Sequence, residues 1–262
     1  MAAEARTAKI GRLERSAITG VLVREIVNFS SYWRAATFSS TVEPTIYLLA
    51  FGFGSLVSTI NGYSYVEFVG TGTVATAVLF SSAFAAMFGT FVKYQFQRTY
   101  DAILAAPVDT EELVTAESTW IAVRAGVYGC VPMVVAIFFG LDPSWGMLTV
   151  PFIGFLTGLG WANFGIMTAG YAKAIENFNY IVSAVLTPLF LLAGTFFPLD
   201  GLPRWLQVLA ELNPLHQCVE LVRAAVLYGF EWNDLLRVGV LLVFALIMWR
   251  IAIHAMERKL ID

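Results

Sequence analysis

Charge is scarce in this sequence. Of its 262 residues only 13% are Asp, Glu, Lys or Arg, while 58% are hydrophobic and the mean hydropathy is +0.71. A soluble domain carries nearer a quarter charged residues, so the composition excludes an ordinary water-soluble globule. The net charge of −3 and pI near 5.5 leave no electrostatic case for a nucleic-acid partner. Cysteine is nearly absent. Cys130 and Cys218 lie far apart and imply neither a disulfide framework nor a metal site. His216 and His254 are too distant in the chain to suggest a metal pair, and each reads as a surface or interface residue. There is no GxxxxGK(S/T) phosphate loop, no GxSxG elbow and no HExxH. No catalytic residue, bound cofactor or metal ligand is therefore expected. The polar opening, MAAEARTAKIGRLERSAITG, has no short apolar core before a small-residue cleavage site, so no removable signal peptide is expected.

What the sequence has instead is long apolar runs. On a window of about 19 residues they fall near 39–59, 66–92, 119–140, 147–171, 178–197 and 235–256. This predicts an all-α polytopic membrane protein with six transmembrane helices. The second run is long enough to imply tilt or an overhang into the cytosol. Direction follows from Lys and Arg. Arg6, Lys9, Arg12, Arg15, Arg24 and Arg34 precede the first run, Lys93, Arg98 and Arg124 flank the second loop, Lys173 lies in the fourth, and Arg250, Arg258 and Lys259 close the chain. Arg204, Arg223 and Arg237 belong to the fifth loop or its border. Positive charge stays inside, so both termini are expected in the cytoplasm and the chain in the cell (inner) membrane as a multi-pass protein. Residues 1–36 read as a cytosolic N-terminus with an interfacial helix, and 37–262 as the six-span domain. In that helix Ile18, Val21, Leu22, Ile26, Phe29 and Trp33 recur at helical spacing, with Glu25 intruding on the apolar side.

Two loops are too elaborate to be tethers. RTYDAILAAPVDTEELVTAE, 98–117, predicts one short amphipathic helix over roughly 97–105, stopped by Pro107. Asp109 or Thr110 then caps a new helix, with Glu111 and Glu112 in its first turn. Tyr100, Ile103, Leu104 and Pro107 form an oily stripe that needs a cover. The acidic DTEEL run argues against anionic lipid, which leaves a partner groove. The fifth loop, 196–234, is too polar to span and too apolar to float. Leu202, Trp205, Leu206, Leu209 and Leu212 give one amphipathic helix, and Asn213 and Pro214 cap and start another carrying Leu215, Val219, Val222 and Val226. A re-entrant hairpin closing the outer end of a pathway fits this pattern, because irregular backbone at membrane depth needs a protein or water cover.

The remaining signals are sparser. Arg124, inside the third run, must pair with an acid or snorkel to the cytosolic edge. So few intramembrane ionisable groups make poor material for an ion-coupled carrier. Gly154 and Gly158, followed by Gly160, Gly165 and Gly170, imply close helix packing, within the chain or at a dimer face. Phe80, Phe84, Phe88 and Phe91 line one side of the second run, either as a lipid-facing stripe or as an aromatic wall lining a pathway for an amphiphile.

EPTIYLLAFGFG (43–54), YSYVEFVGTGTVAT (63–76), QRTYDAILAAPV (97–108) and FPLDGLPRWLQVLAELNPLHQCVELVR (197–223) together resemble the membrane subunit of a type-2 ABC exporter, of the NodJ-like branch. The likeness runs from about residue 20 to the end. It implies six spans, an N-terminal interfacial helix, a cytosolic coupling helix between spans two and three, and an external re-entrant pair before span six. By the same resemblance, Arg98, Tyr100, Asp101, Ile103, Leu104 and Pro107 would dock on a separate ATP-binding subunit, present in two copies. Leu202, Trp205, Leu206, Asn213, Pro214 and His216 would belong to the external gate. The permease would pair as a homodimer among membrane lipids, and ATP and Mg would be held by the partner. The implied cargo is a glycolipid, lipo-oligosaccharide or lipid-linked saccharide, with multidrug efflux as the alternative. A membrane-embedded enzyme of lipid metabolism, or a secondary carrier, would be active without any ATPase.

Overall fold

The computed structural model describes residues 14–54, 59–60 and 62–261. The Lys and Arg residues at 6, 9 and 12, and the end of the first apolar run, lie outside the described residues. Helix α1, Arg15–Ser30, is followed after a two-residue break by α2, Trp33–Gly54. Thr59–Ile60 and Tyr63–Ser64 pair as a two-residue antiparallel ribbon. Helix α3 spans Tyr65–Gln95, and the short α4 Thr99–Leu104. Helix α5 is Thr110–Phe138, and α6, entered through a 3₁₀ turn, is Trp145–Tyr171. The shorter α7 is Asn177–Leu191. Two further short helices, α8 Arg204–Glu211 and α9 Pro214–Arg223, precede α10, Trp232–Ile261.

Among the described residues four helices are long and apolar enough to cross a membrane: α3, α5, α6 and α10. The 31 residues of α3 reach about 46 Å at 1.5 Å per residue, well beyond the ~30 Å hydrocarbon core. Its start is fixed by a capping box. Ser64 Oγ accepts the Glu67 N–H at 3.3 Å, and Glu67 Oε2 accepts the Ser64 N–H at 2.7 Å. At the start of α5 the Glu112 carboxylate likewise accepts the Asp109 N–H, at 3.0 Å. That helix begins nine residues before the third apolar run. A cap and a polar first turn extend it past the segment that hydropathy marks.

The expected fifth span, 178–197, is helical over only part of its length. Its helix stops at Leu191, and Gly194, at φ +78°, takes a left-handed turn that a side chain would resist. Ala193 and Thr195 beyond it are buried in an irregular turn, not in helix. Fifteen residues cover about 22 Å, less than a bilayer core.

Helix α6 is the centre, with α3, α5 and α10 packed around it. Small residues set the spacing. A Cβ on Gly126 would stand 2.5 Å from the Pro151 carbonyl oxygen, and one on Gly158 would stand 2.8 Å from the Ala125 methyl. Backbones this close gain dispersion contact where apolar solvent gives no hydrophobic drive. The Gly154/Gly158 spacing thus serves packing of α6 on α5 inside one chain.

Candidate functional site

Helix α4 lies between the C-terminal end of α3 and the N-terminal end of α5. It follows a reversal at Arg98, whose φ of +48° is the one left-handed non-glycine conformation among the described residues. Gln97 and Arg98 therefore precede the helix instead of belonging to it. Arg98, Asp101 and Pro107 are exposed, and Ile103 and Leu104 half-buried. Tyr100 departs from the expected outward stripe. It is 1% exposed, and its hydroxyl donates to Glu117 Oε2 on α5. Burial, and next the adjacent Glu117 charge, hold this phenol well above its ordinary pKa, so it stays a donor. The helix is thereby pinned to the bundle by its inner face, and a shorter polar surface remains outside.

That bond is one edge of a buried ion cluster. Lys93 Nζ on α3 donates to Glu117 Oε1 at 2.8 Å and to Glu25 Oε1 on α1 at 2.9 Å. Arg24 Nη1 also reaches Glu25, at 2.9 Å, and Thr90 Oγ1 reaches Glu117 at 3.4 Å. Glu25, the acid that intrudes on the apolar face of α1, is thus the ligand that a buried ammonium requires. The cluster joins α1, α3, α4 and α5. Arg124 takes no part. Among the described residues it pairs with no acid, but it donates to the Tyr32 hydroxyl at 3.2 Å and lies 5.9 Å from the Phe29 ring centre.

At the opposite end, α8 and α9 form the hairpin. Asn213, the N-cap of α9, and two α9 side chains satisfy carbonyls at the end of α7 and in the turn beyond it. Asn213 Nδ2 donates to Leu189 O at 2.6 Å, while its Oδ1 caps α9 by accepting the Leu215 N–H at 3.0 Å. His216 Nδ1 donates to Ala193 O at 2.9 Å, and this histidine is buried between the hairpin and the turn, at an interface and not at the surface. Arg223, 3% exposed, donates to Gly194 O at 2.8 Å and to Glu220 at 3.0 Å, with its guanidinium 3.7 Å from the Phe68 ring centre. On α8 Trp205 is exposed and Leu206 half-buried, and Leu202, just before α8, and Pro214, at the start of α9, are half-buried.

Between these ends runs the phenylalanine row. Phe80, Phe84 and Phe88 are half-buried and Phe91 is buried. Ring centres of Phe80 and Phe84 are 4.9 Å apart, and those of Phe84 and Phe88 6.2 Å. Helix α7 supplies the facing rings. Phe178 meets Phe88 at 5.1 Å and Phe91 at 5.4 Å, and Phe190 meets Phe80 at 6.2 Å. The row is thus an interhelical aromatic seam. Glu25 had already stood out as a charge in an apolar periodic face, and Arg223, which sequence reasoning passed over, gave the same kind of signal beside Val219 and Val222. Lys93 gave none, since its partners lie 68 and 24 positions away. Among the described residues no group of His, Cys, Asp or Glu is placed to hold a metal ion.

Known proteins are similar to this chain in sequence. The ABC-2 type transporter family matches residues 17–227. Nodulation protein J of Rhizobium leguminosarum bv. trifolii is 31% identical over 237 residues, 87% of this chain and 90% of that one. Nodulation protein J of Sinorhizobium fredii is 30% identical over 238 residues, covering 88% and 90%. The inner membrane transport permease YadH of Escherichia coli is 28% identical over 250 residues, covering 92% and 95%. With its long apolar helices, a clamped short helix after the first of the four and a hairpin before the last, the chain belongs to the ABC-2 type transporter family, as a membrane permease resembling nodulation protein J.

Proposed function

We propose that this chain is the permease of an ATP-driven exporter, working as a homodimer with two copies of a separate ATP-binding subunit in the inner membrane. Helix α2, and α7 together with the protein-covered turn at Gly194 that follows it, complete six spans, both termini are cytoplasmic, α1 lies in the interface, and α8–α9 is the external re-entrant pair. The single observation that carries the reading is the attachment of α4. A helix of six residues has no stability of its own, yet Tyr100 and the Glu117–Lys93–Glu25 cluster bind it to three other helices. A push on its outer face, at Arg98, Asp101, Ile103, Leu104 and Pro107, is therefore delivered to α1, α3 and α5 together. Closure of the ATP-binding subunits biases inward-open against outward-open arrangements through that linkage.

Helix α7 supports a pathway at the dimer centre. Asn179, Ser183 and Thr187 recur every fourth residue on its exposed side, and such groups are costly against lipid. Facing a second copy, they and the Phe80–Phe84–Phe88 seam form a passage with polar and aromatic walls, suited to an amphiphile such as a glycolipid or lipid-linked saccharide. The test is Leu104→Glu and Asp101→Lys in the reconstituted complex. Transport falls and ATP turnover loses its coupling to it, while the thermal stability of the permease is unchanged. Normal transport by both variants would refute the docking assignment.

A further inference from the structure

The hairpin segment is bounded by two glycines of positive φ, Gly194 at +78° before it and Gly229 at +88° after it. Between them lie α8, α9 and the π-helical turn Ala224–Tyr228 that continues α9. Backbone free to turn at both ends of a segment is the geometry of a hinged element. Two tyrosines hold those ends. The Tyr65 hydroxyl donates to Phe196 O at 3.1 Å, just past the first glycine. The Tyr63 hydroxyl donates to Leu227 O at 3.1 Å, just before the second, and its ring centre lies 5.2 Å from that of Tyr228. Tyr63 and Tyr65 flank Ser64, whose capping box fixes the start of α3. Both holds therefore spring from one rigid helix end.

The placement of the other bonds decides what these two do. Asn213, His216 and Arg223 bond the hairpin to the end of α7 and the turn after it, so these contacts can travel with the hairpin. Toward the start of α3 it is held by Tyr63 and Tyr65, and by the Arg223 guanidinium on the Phe68 ring. A phenol O–H to a backbone carbonyl is a neutral hydrogen bond, worth a factor of roughly two to ten in an equilibrium. That is strong enough to bias a closed position and weak enough to part within a working cycle. The face of α9 that closure covers is fully seated, with Leu215, Cys218, Val219 and Val222 all buried.

We propose that Tyr63 and Tyr65 form a latch that holds the hairpin closed over the exit side. The inference rests on the export reading above and names the residues that keep the outer end shut. Cys218, on the covered face of α9, is a native reporter of opening once Cys130 is changed to serine. The Cys130→Ser permease with its ATP-binding subunit, in nanodiscs without nucleotide, is treated with a water-soluble methanethiosulfonate reagent. Tyr63→Phe and Tyr65→Phe, which remove one hydroxyl each, speed modification of Cys218 roughly two- to tenfold, and the double variant exceeds either. Tyr94→Phe removes a like bond, to Lys259 O at the C-terminal end of α10, and leaves the rate unchanged. Rates in both latch variants equal to the parent's, or an equal rise in Tyr94→Phe that marks general loosening, would overturn the latch. A second arm adds a non-hydrolysable ATP analogue to the parent complex, where the rate rises toward that of the double variant. A complex that assembles and responds to the hydroxyl deletions but not to the analogue keeps the latch and counts against the export reading. A response to the analogue without one to the deletions does the reverse.

Discussion

Replacing Lys93 with methionine keeps the side-chain length but strands the carboxylates of Glu25 and Glu117. In the native cluster the Lys93 side chain is 14% exposed, and those of Glu25 and Glu117 are 7% and 3% exposed. Screening by solvent is therefore small for these three. Arg24, at 37% exposed, retains contact with Glu25 but is screened and receives no energetic share. Breaking one partner out of a buried pair costs about 3–5 kcal/mol. At ~2–4 °C per kcal/mol for a chain near this size, Lys93→Met lowers the melting temperature by roughly 6–20 °C. The double variant Lys93→Met/Glu117→Gln removes the stranded charge and recovers more than half of the loss. Thermal unfolding of the detergent-solubilised permease reads both effects. A single variant within about 2 °C of the parent, or a double variant no better than the single, would refute the idea that this cluster is charge-compensated and buried.

Three other predictions rest on separate contacts. Gly126→Val drives side-chain atoms toward the Pro151 carbonyl, which a Cβ alone would approach to 2.5 Å. It should cost about 1–3 kcal/mol by overpacking, measured as a lower melting temperature, whereas Gly239→Ala, where no atom lies within 4 Å of the added Cβ, should be nearly silent. Arg223→Lys keeps the charge but cannot hold Gly194 O, Glu220 and the Phe68 face together. Faster proteolysis within 192–203 than in the parent would show the loosened turn, and an unchanged cleavage rate would argue against it. Tyr100→Phe removes the donor to Glu117 at about 1.5–3 kcal/mol for a charge-assisted bond. It should reduce transport per ATP hydrolysed without preventing assembly of the complex.

Much of the scaffold could be read from residue order because it rests on local patterns. The second, fourth and sixth apolar runs became α3, α6 and α10 with ends within a few residues, since a long apolar helix satisfies its own backbone wherever it lies. The short helix was legible from Pro107 and the Asp109–Glu112 cap, and the hairpin from Asn213–Pro214. What escaped was set by contacts distant in sequence. Hydropathy could not see that 192–197 leaves the helix, because the turn at Gly194 is as apolar as a span and is held by Asn213, His216 and Arg223 from the following hairpin. Tyr100 was assigned to the outer stripe because spacing tells which residues share a face, not which side of that face meets the rest of the fold. The pairing of Glu25 with Lys93 required α1 and α3 to be placed side by side.

The account depends on α4 presenting its outer surface to an ATP-binding subunit while its inner surface grips the bundle. A photoreactive amino acid placed singly at Asp101, Leu104 or Tyr100 in the assembled complex tests this directly. The account predicts cross-links to the ATP-binding subunit from Asp101 and Leu104, and from Tyr100 only links within the permease. Links from Asp101 and Leu104 solely to lipid, or equally strong capture of the ATP-binding subunit from Tyr100, would contradict it.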